Sequence, residues 1–379
     1  MMQEVPVSFN STEMLRKNNR HSVFMDIYDH QSTSRQEIAG RLGLSLPTVN
    51  QNLNELQEMG LVRKNGVFHS TGGRKADAYE IIEDARIAVG CYLQKDSFRM
   101  AAVSLFGEVL FSCCKDVAFA NSYAYFQQLG DCLQEFLQEH HIAPEAVLGV
   151  NMALEAIVSP NHDRVTYSEV YKCTGLTEQE LCRHIPYPCK LYHDSHATAE
   201  AELWARKDIH HAVLIILNRY AGGSLIIGGK ICEGNDFGCV LEHMCLKPDG
   251  PRCYCGKQGC FETYCSAFAL ERDVGEPLEL FFSALRQGDA GRSDLWERFL
   301  HYLALGIHNI RMIIDCEFIV GGHLAQYMTV EDFDRLRALV NEECPFGFGN
   351  AVITPSCFES ESAALGAGLP LVEEYLLQI

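Results

Sequence analysis

No stretch of this chain stays apolar for long. Its longest apolar runs, such as Ala212–Leu217, fall far short of the ~20 residues a membrane helix needs, so a membrane-spanning role is not expected. The opening MMQEVPVSFNSTEM lacks the basic start and apolar stretch of an export signal, and the expected compartment is the cytoplasm. Positive charge is also scarce: 31 Lys and Arg stand against 50 Asp and Glu, for a net charge of −19. Over the whole chain that argues against a nucleic-acid binder, but the deficit is uneven. Residues 1–80 hold nine basic and nine acidic side chains, whereas the remainder holds 22 of the basic and 41 of the acidic ones. A neutral head on an acidic body is compatible with DNA contact confined to the head.

Cysteine, in contrast, is plentiful, at 17 residues. In a chain of 379 residues without an export signal, reduced thiols are expected rather than a disulfide framework. Most, such as Cys91 in its apolar context, are expected as small buried hydrophobes. Apolar residues at 47% and charged ones at 21% are ordinary for a globular protein. The length gives two or three domains.

The first eighty residues carry three helical patterns. Asn19–Asp29 places Val23, Phe24, Ile27 and Tyr28 at a 3.6-residue period. Ser34 to Glu37 is an S-x-x-E capping box, followed by Ile38 and Leu42 on one face and Gly43 as a stop. Ser45 then caps a third helix with Pro47 in its first turn and Val49, Leu53 and Leu56 as the buried stripe. Helix, short turn, helix is the helix-turn-helix arrangement. On the third helix Thr48, Asn50, Gln51, Asn52 and Asn54 form a short uncharged face suited to base edges, with Thr48, Asn50 and Gln51 as candidate base readers. The run LVRKNGVFHSTGGRKADAYEI reads as a hairpin wing turning at Asn65-Gly66, with Arg63, Lys64, Arg74 and Lys75 available to phosphates. A protein-interaction module is the bland alternative.

From Ile87 onward strands alternate with helices: two strands around a Phe106-Gly107 turn, a helix over Tyr123–Glu139, and later a strand pair AVLIILN/GSLIIGGKI. This is an α/β architecture. Within it, His243-x9-Cys253-x-Cys255-x4-Cys260 gathers one imidazole and three thiols in eighteen residues. Three thiolates and a histidine match the tetrahedral preference of zinc and leave no open position, so the site reads as structural. Gly256 and Gly259 would let the backbone wrap the ion. A disulfide or coincidental thiols are the alternatives.

The run EHMCLKPDGPRCYCGKQGCFETYCS closely resembles the signature of the ROK family (repressors, open reading frames, sugar kinases), in which G-H-M…C-x-C-G-x-x-G-C-x-E holds zinc. SRQEIAGRLGLSLPTVNQNLNELQEMGLV and STGGRKADAYEI are similar to the winged helix and connecting arm of ROK repressors, and ESAALGAGLPLVEEYL to the family's last helix. The resemblance implies a winged helix-turn-helix over 1–82 and a two-lobed actin-like, hexokinase-type (ribonuclease H-like) body over 83–379. Lobe one would span about 83–200 plus the final helix 360–379, and lobe two about 201–359. Sugar would sit in the cleft, with ATP beside it in the kinases.

Departures from the family pattern matter more than the matches. The kinases' D-x-G-G-T hairpin reads Tyr92-Leu93-Gln94-Lys95-Asp96 here, and their G-T-G-x-G loop reads Asn218-Arg219-Tyr220-Ala221-Gly222. Arg and Tyr side chains in that turn would block the approach of phosphate to backbone amides. A P-G turn is replaced by Ala153-Leu154, and G-E-x-G-H by Cys239-Val240-Leu241-Glu242-His243. ATP binding reads as lost, and no catalysis is expected. Asp194 holds the position of the kinase base; with His193, His243 and Glu262 it forms the candidate effector contacts, unless Asp194 and Glu262 are cap or supporting acids. The expectation is a cytoplasmic, sugar-responsive transcriptional regulator, most simply a repressor, acting on operator DNA as a homodimer or homotetramer. Two alternatives stay open: a sugar or N-acylated amino-sugar kinase with an added DNA-binding domain, and a regulator that senses a protein partner.

Overall fold

A computed structural model describes residues 11–68, 76–235, 238–342, 344, 346, 349–358 and 362–379. At the amino end, helix Ser11–His30 begins eight residues before the expected Asn19 and buries Val23, Phe24 and Ile27 completely. Helix Arg35–Leu42 opens on the capping box: the Ser34 hydroxyl accepts from Glu37 N at 3.3 Å, and Glu37 Oε2 accepts from Ser34 N at 2.8 Å. Gly43 ends it in the left-handed conformation at φ 66°. The first two helices are clamped by Arg41, whose guanidinium meets both oxygens of buried Asp26 at 2.8 and 2.7 Å. Helix Leu46–Glu58 buries Val49, Leu53 and Leu56. Asn52 does not join the outward polar face. It lies on the buried stripe, three residues from Val49 and four from Leu56, and donates to Thr48 O at 2.8 Å.

The wing is an antiparallel pair, Val62–Phe68 with Ala76–Ile81. Its turn is not at Asn65-Gly66. There the first strand bulges, because three steps from Lys64 to Val67 face two from Tyr79 to Asp77, and Gly66 at φ 79° absorbs the extra residue. Arg74 and Lys75 lie outside the described residues.

The body repeats one topology twice. Lobe one runs, edge to edge, Leu191–His193, Val147–Leu154, Ile87–Leu93, Phe98–Val103, Val109–Lys115. Lobe two runs Ile353–Pro355, Glu317–Gly321, His211–Leu217, Ala221–Ile227, Lys230–Ile231. In each, the first three strands form an antiparallel meander, and the last two add in parallel on the other side. Gly107, at φ 78°, makes the expected turn between the second and third strands of lobe one.

Strand Ile87–Leu93 is buried at every position because both of its faces are covered. Ile87, Val89, Cys91 and Leu93 pack against helix Tyr123–Glu139, while Ala88 and Tyr92 face the C-terminal helix Ser362–Gln378. That helix lies close because its contacts are small. A Cβ on Gly90 would fall 1.8 Å from Ala364 O, and one on Gly366 would fall 1.6 Å from Ala197 O on helix Asp194–Ala205.

The winged helix shares this second core: Phe24, Ile27, Leu53 and Tyr79 belong to the same apolar cluster as Tyr92, Val103 and Leu369. Tyr28 donates to Leu105 O at 2.9 Å and stacks on Phe106 at 4.6 Å between ring centres. Trp204, near the end of helix Asp194–Ala205, donates to Phe106 O at 3.0 Å. Arg20 reaches the terminal Ile379 O at 3.2 Å.

One expectation about thiols fails. Cys182 and Cys189 form a disulfide in lobe one, since the loop between them turns back and sets their Cα atoms 6.7 Å apart, within bridging range. Among the described residues no helix is long and apolar enough to cross a membrane.

Candidate functional site

The Cys/His stretch folds into a knot of short turns. Cys253 N donates to Lys257 O at 2.8 Å, Leu246 N to Gly259 O at 2.8 Å, and Phe261 N to Met244 O at 2.8 Å. Gly256 and Gly259 adopt φ 88° and 69°, and a Cβ on Gly259 would fall 1.6 Å from Lys247 O. His243 Nδ1 lies 3.6 Å from Cys253 Sγ, and Cys255 Sγ 3.7 Å from Cys260 Sγ. All four donor atoms lie within 4.8 Å of one another. Four soft donors at that spacing can hold a metal ion.

His243 also borders the cleft between the lobes. Its walls come from lobe one (Glu155, His193, Asp194) and from lobe two (Tyr220, Glu242, Tyr254). Asp194 is the first residue of its helix, where the helix dipole favours a negative charge. Burial nevertheless pushes its carboxyl up, as it does that of Glu155, with their mutual repulsion adding to the shift in Glu155. Tyr92 lies between them, 3.1 Å from Glu155 Oε1 and 3.3 Å from Asp194 Oδ2. Tyr171 donates to the other Glu155 oxygen at 3.0 Å. His193 Nε2 is 3.4 Å from Asp194 Oδ1, and burial lowers its imidazole to about 4. The space between the walls is only about 40 Å³, room for about three waters at roughly 10–15 Å³ each.

Three of the four candidate effector residues, His193, Asp194 and His243, meet at this cleft. Glu262 stands behind it: Oε2 accepts from Ala221 N at 2.6 Å and fixes the turn that carries Tyr220. Sequence reasoning missed Glu155 and Glu242. For Glu242 the available signal was an acid directly preceding the cluster histidine. Glu155 carried no such signal, because strand Val147–Leu154 delivers it to the cleft from its far end.

The ROK family model matches residues 108–373, and a winged helix-turn-helix DNA-binding model matches residues 27–63. The chain belongs to the ROK family. It is 20% identical over 372 residues to the xylose repressor of Bacillus subtilis, covering 96% of this chain and 97% of that protein. A solved ROK family transcriptional regulator, a homologue of the Escherichia coli Mlc protein, superposes with a TM-score of 0.76 at 21% identity over 96% of this chain and 97% of that one. A ROK family glucokinase from Streptomyces griseus, solved with glucose and AMPPNP, gives 0.63 at 19% identity, covering 75% of this chain and 98% of that one.

The two segments read in the sequence as counterparts of the kinase phosphate loops both carry internal hydrogen bonds. The Tyr92–Asp96 segment closes as a hairpin with Gln94 N on Ser97 O at 2.9 Å. In the second, the carbonyls of Asn218 and Arg219 accept from Ala267 and Phe268 N at 3.0 and 3.1 Å. Asn218 Oδ1 accepts from His323 N at 2.8 Å, and Tyr220 turns its ring against Tyr254 at 5.4 Å.

On the winged helix, Gln51 is exposed and Thr48 and Asn50 are half-buried. The Thr48 hydroxyl is held by Ser45 at 2.8 Å, and Asn50 Oδ1 accepts from Arg35 at 3.1 Å. Arg35 was not anticipated, and it adds a cation beside the reading face. Arg63 and Lys64 are exposed but each faces an acid, Glu80 at 2.5 Å and Asp77 at 3.2 Å.

Proposed function

We propose that this ROK protein is a DNA-binding repressor of carbohydrate-related genes, released by a sugar or sugar derivative held in the cleft. The observation that carries the reading is the continuous apolar core joining the winged helix to lobe one, with Asp194 of the cleft and Trp204 of the docking contact on a single helix. The cleft is too tight for a sugar as it stands, so binding favours a more open arrangement of the lobes. A ligand that binds one arrangement better shifts the population toward it, and a rigid helix rooted in the cleft passes the shift to the Phe106 turn and Tyr28. Couplings of this kind are typically about 1–3 kcal/mol.

DNA would be read by the helix Leu46–Glu58, with Thr48, Asn50 and Gln51 at base edges and Arg63, Lys64, Arg74 and Lys75 toward phosphates. Two winged helices on a palindromic operator imply a homodimer or homotetramer, working in the cytoplasm where the DNA is. The Cys/His cluster would hold zinc: bonds of about 2.3 Å give a tetrahedron edge of about 3.8 Å, close to the sulfur spacing here. Such an ion supplies cross-linking rather than catalysis, pinning the loop that presents Glu242 and His243. The lack of glycine in Tyr92–Asp96 and the Arg219 and Tyr220 side chains in the second turn support a body that has lost ATP chemistry. The test is to select genomic DNA with the purified protein, then titrate sugars against the complex. Release by a sugar at physiological salt supports the reading; ATP turnover with any hexose, or no duplex bound at all, overturns it.

A further inference from the structure

We infer that Cys182 and Cys189 are a reversible thiol–disulfide site, closed by low-molecular-weight disulfides and opened by thiols, that sets how firmly lobe one holds its wall of the cleft. Theirs is the only bridge among the described residues, whereas Cys255 and Cys260, with sulfurs 3.7 Å apart, stay unbridged. The inference rests on the cytoplasmic reading above, because a bridge in that compartment is transient or redox-sensing rather than a permanent staple. The two cysteines stand on unlike supports. Cys182 is 5% exposed and ends the short helix Glu178–Leu181. The loop that follows is wedged against helix Tyr123–Glu139, where a Cβ on Gly130 would fall 2.7 Å from His184 Cβ. Cys189 is more open and leads into the edge strand Leu191–His193, which pairs on one side only, with Val147–Leu154. At this join Val150 N donates to Pro188 O and Met152 N to Lys190 O, each at 2.9 Å, and Lys190 N donates to Asn151 Oδ1 at 3.0 Å. Asp194 of the cleft directly follows the edge strand, and Glu155 directly follows its partner strand. The bridge therefore ties the free edge of the sheet, with both carboxylates at its end, to a fixed part of lobe one.

Closure needs an oxidant, and glutathione disulfide serves. The thiolate of Cys189, the more accessible of the two, attacks one glutathione sulfur and releases the first glutathione. The Cys182 thiolate then attacks the Cys189 sulfur, forms the bridge and releases the second. The protein gives up two electrons and two thiol protons, and both end on the two glutathione thiols. Excess thiol runs the same steps backwards. A metal ion is the competing occupant, since a Glu178 oxygen and both sulfurs lie within 4.8 Å of one another. Three donors leave a zinc shell incomplete, and the bridge consumes two of them, so the two occupants exclude each other.

The experiment treats the full-length protein with reduced or with oxidised glutathione, traps free thiols by alkylation for mass spectrometry, and follows amide hydrogen exchange in each form. Cys182 and Cys189 should pass from bridged to free and back. In the reduced protein residues 188–194 and the amides of Val150 and Met152 should exchange about ten-fold faster or more, with helix Ala290–Arg311 of lobe two unchanged. Cys189→Ser should show the faster exchange under both treatments; the parent protein carries the test even where this variant fails to fold. A pair that stays bridged in reduced glutathione, a pair that stays open in oxidised glutathione, or equal exchange in the two forms each overturns the inference. So does a metal ion beyond the cluster's own, held by the reduced protein and lost in Cys189→Ser. None of these measurements uses sugar or DNA, so they fail or succeed separately from the repressor reading.

Discussion

Truncating Tyr28 to alanine should detach the DNA-reading head from the body without unfolding either. The side chain makes two contacts across the junction, the hydroxyl bond to Leu105 O at 2.9 Å and the stack on Phe106 at 4.6 Å and 18° between planes. Leaving a part-buried carbonyl unpaired costs about 1–3 kcal/mol, and the aromatic pair is worth about 0.5–1.5 kcal/mol. The junction should therefore weaken by about 1.5–4.5 kcal/mol, while Val23, Phe24 and Ile27 stay packed with Leu53 and Leu56 of the winged helix. Tyr28→Phe removes only the hydroxyl bond, and its effect should be about two-thirds as large. Scanning calorimetry is the assay. Because the winged helix and lobe one share one apolar cluster, the parent protein should lose them in a common transition, and Tyr28→Ala should split off an earlier, smaller one. In a DNA-release assay the same variant should bind operator normally but lose most of its response to ligand. A single unshifted transition together with an intact response would refute the proposed route through Trp204, Phe106 and Tyr28.

Further expectations follow from the cluster, the cleft and the reading helix. Chelation at neutral pH should remove one metal ion per chain and lower the unfolding temperature of lobe two, and Cys255→Ser should reproduce the loss; a metal-free protein of unchanged stability would contradict a structural ion. Burial raises the carboxyls of Glu155 and Asp194 in the folded state, so the folded form binds more protons than the unfolded one. Their contribution to stability is then fully present below the ordinary carboxylate range near pH 4 and is lost as pH rises through the raised folded values, by at most about 1.4 kcal/mol per pH unit for one proton. Denaturant midpoints from pH 4 to 7 should show that Glu155→Gln loses stability relative to the parent at low pH and recovers the difference as pH rises. Gln51→Ala and Asn50→Ala should each weaken specific DNA binding by about 1–3 kcal/mol. Lys64→Ala should weaken all sequences alike and lower the salt slope by about one ion; equal loss on specific and random DNA for Gln51→Ala would remove it from base reading.

What the sequence determined by itself is the local half of this protein. Caps, glycine stops and apolar periods are written within a few residues, so Ser34, Gly43, Ser45 and the Phe106-Gly107 turn were legible without the fold. The Cys/His cluster was legible for the same reason, since its four side chains lie within eighteen consecutive residues. The wing turn was misplaced because Asn-Gly signals a reversal locally, whereas strand pairing across the sheet made the same glycine a bulge. Asn52 was misjudged because composition describes a helix surface but only packing decides which side is inward. Tertiary structure alone decided the cleft. Asp194 was singled out only through the family resemblance; Tyr92, Glu155 and Glu242 are separated by up to 150 positions in the chain, and each is unremarkable where it stands. Their chemistry arises from shared burial, since desolvation and mutual repulsion act through space and leave no mark on neighbouring residues.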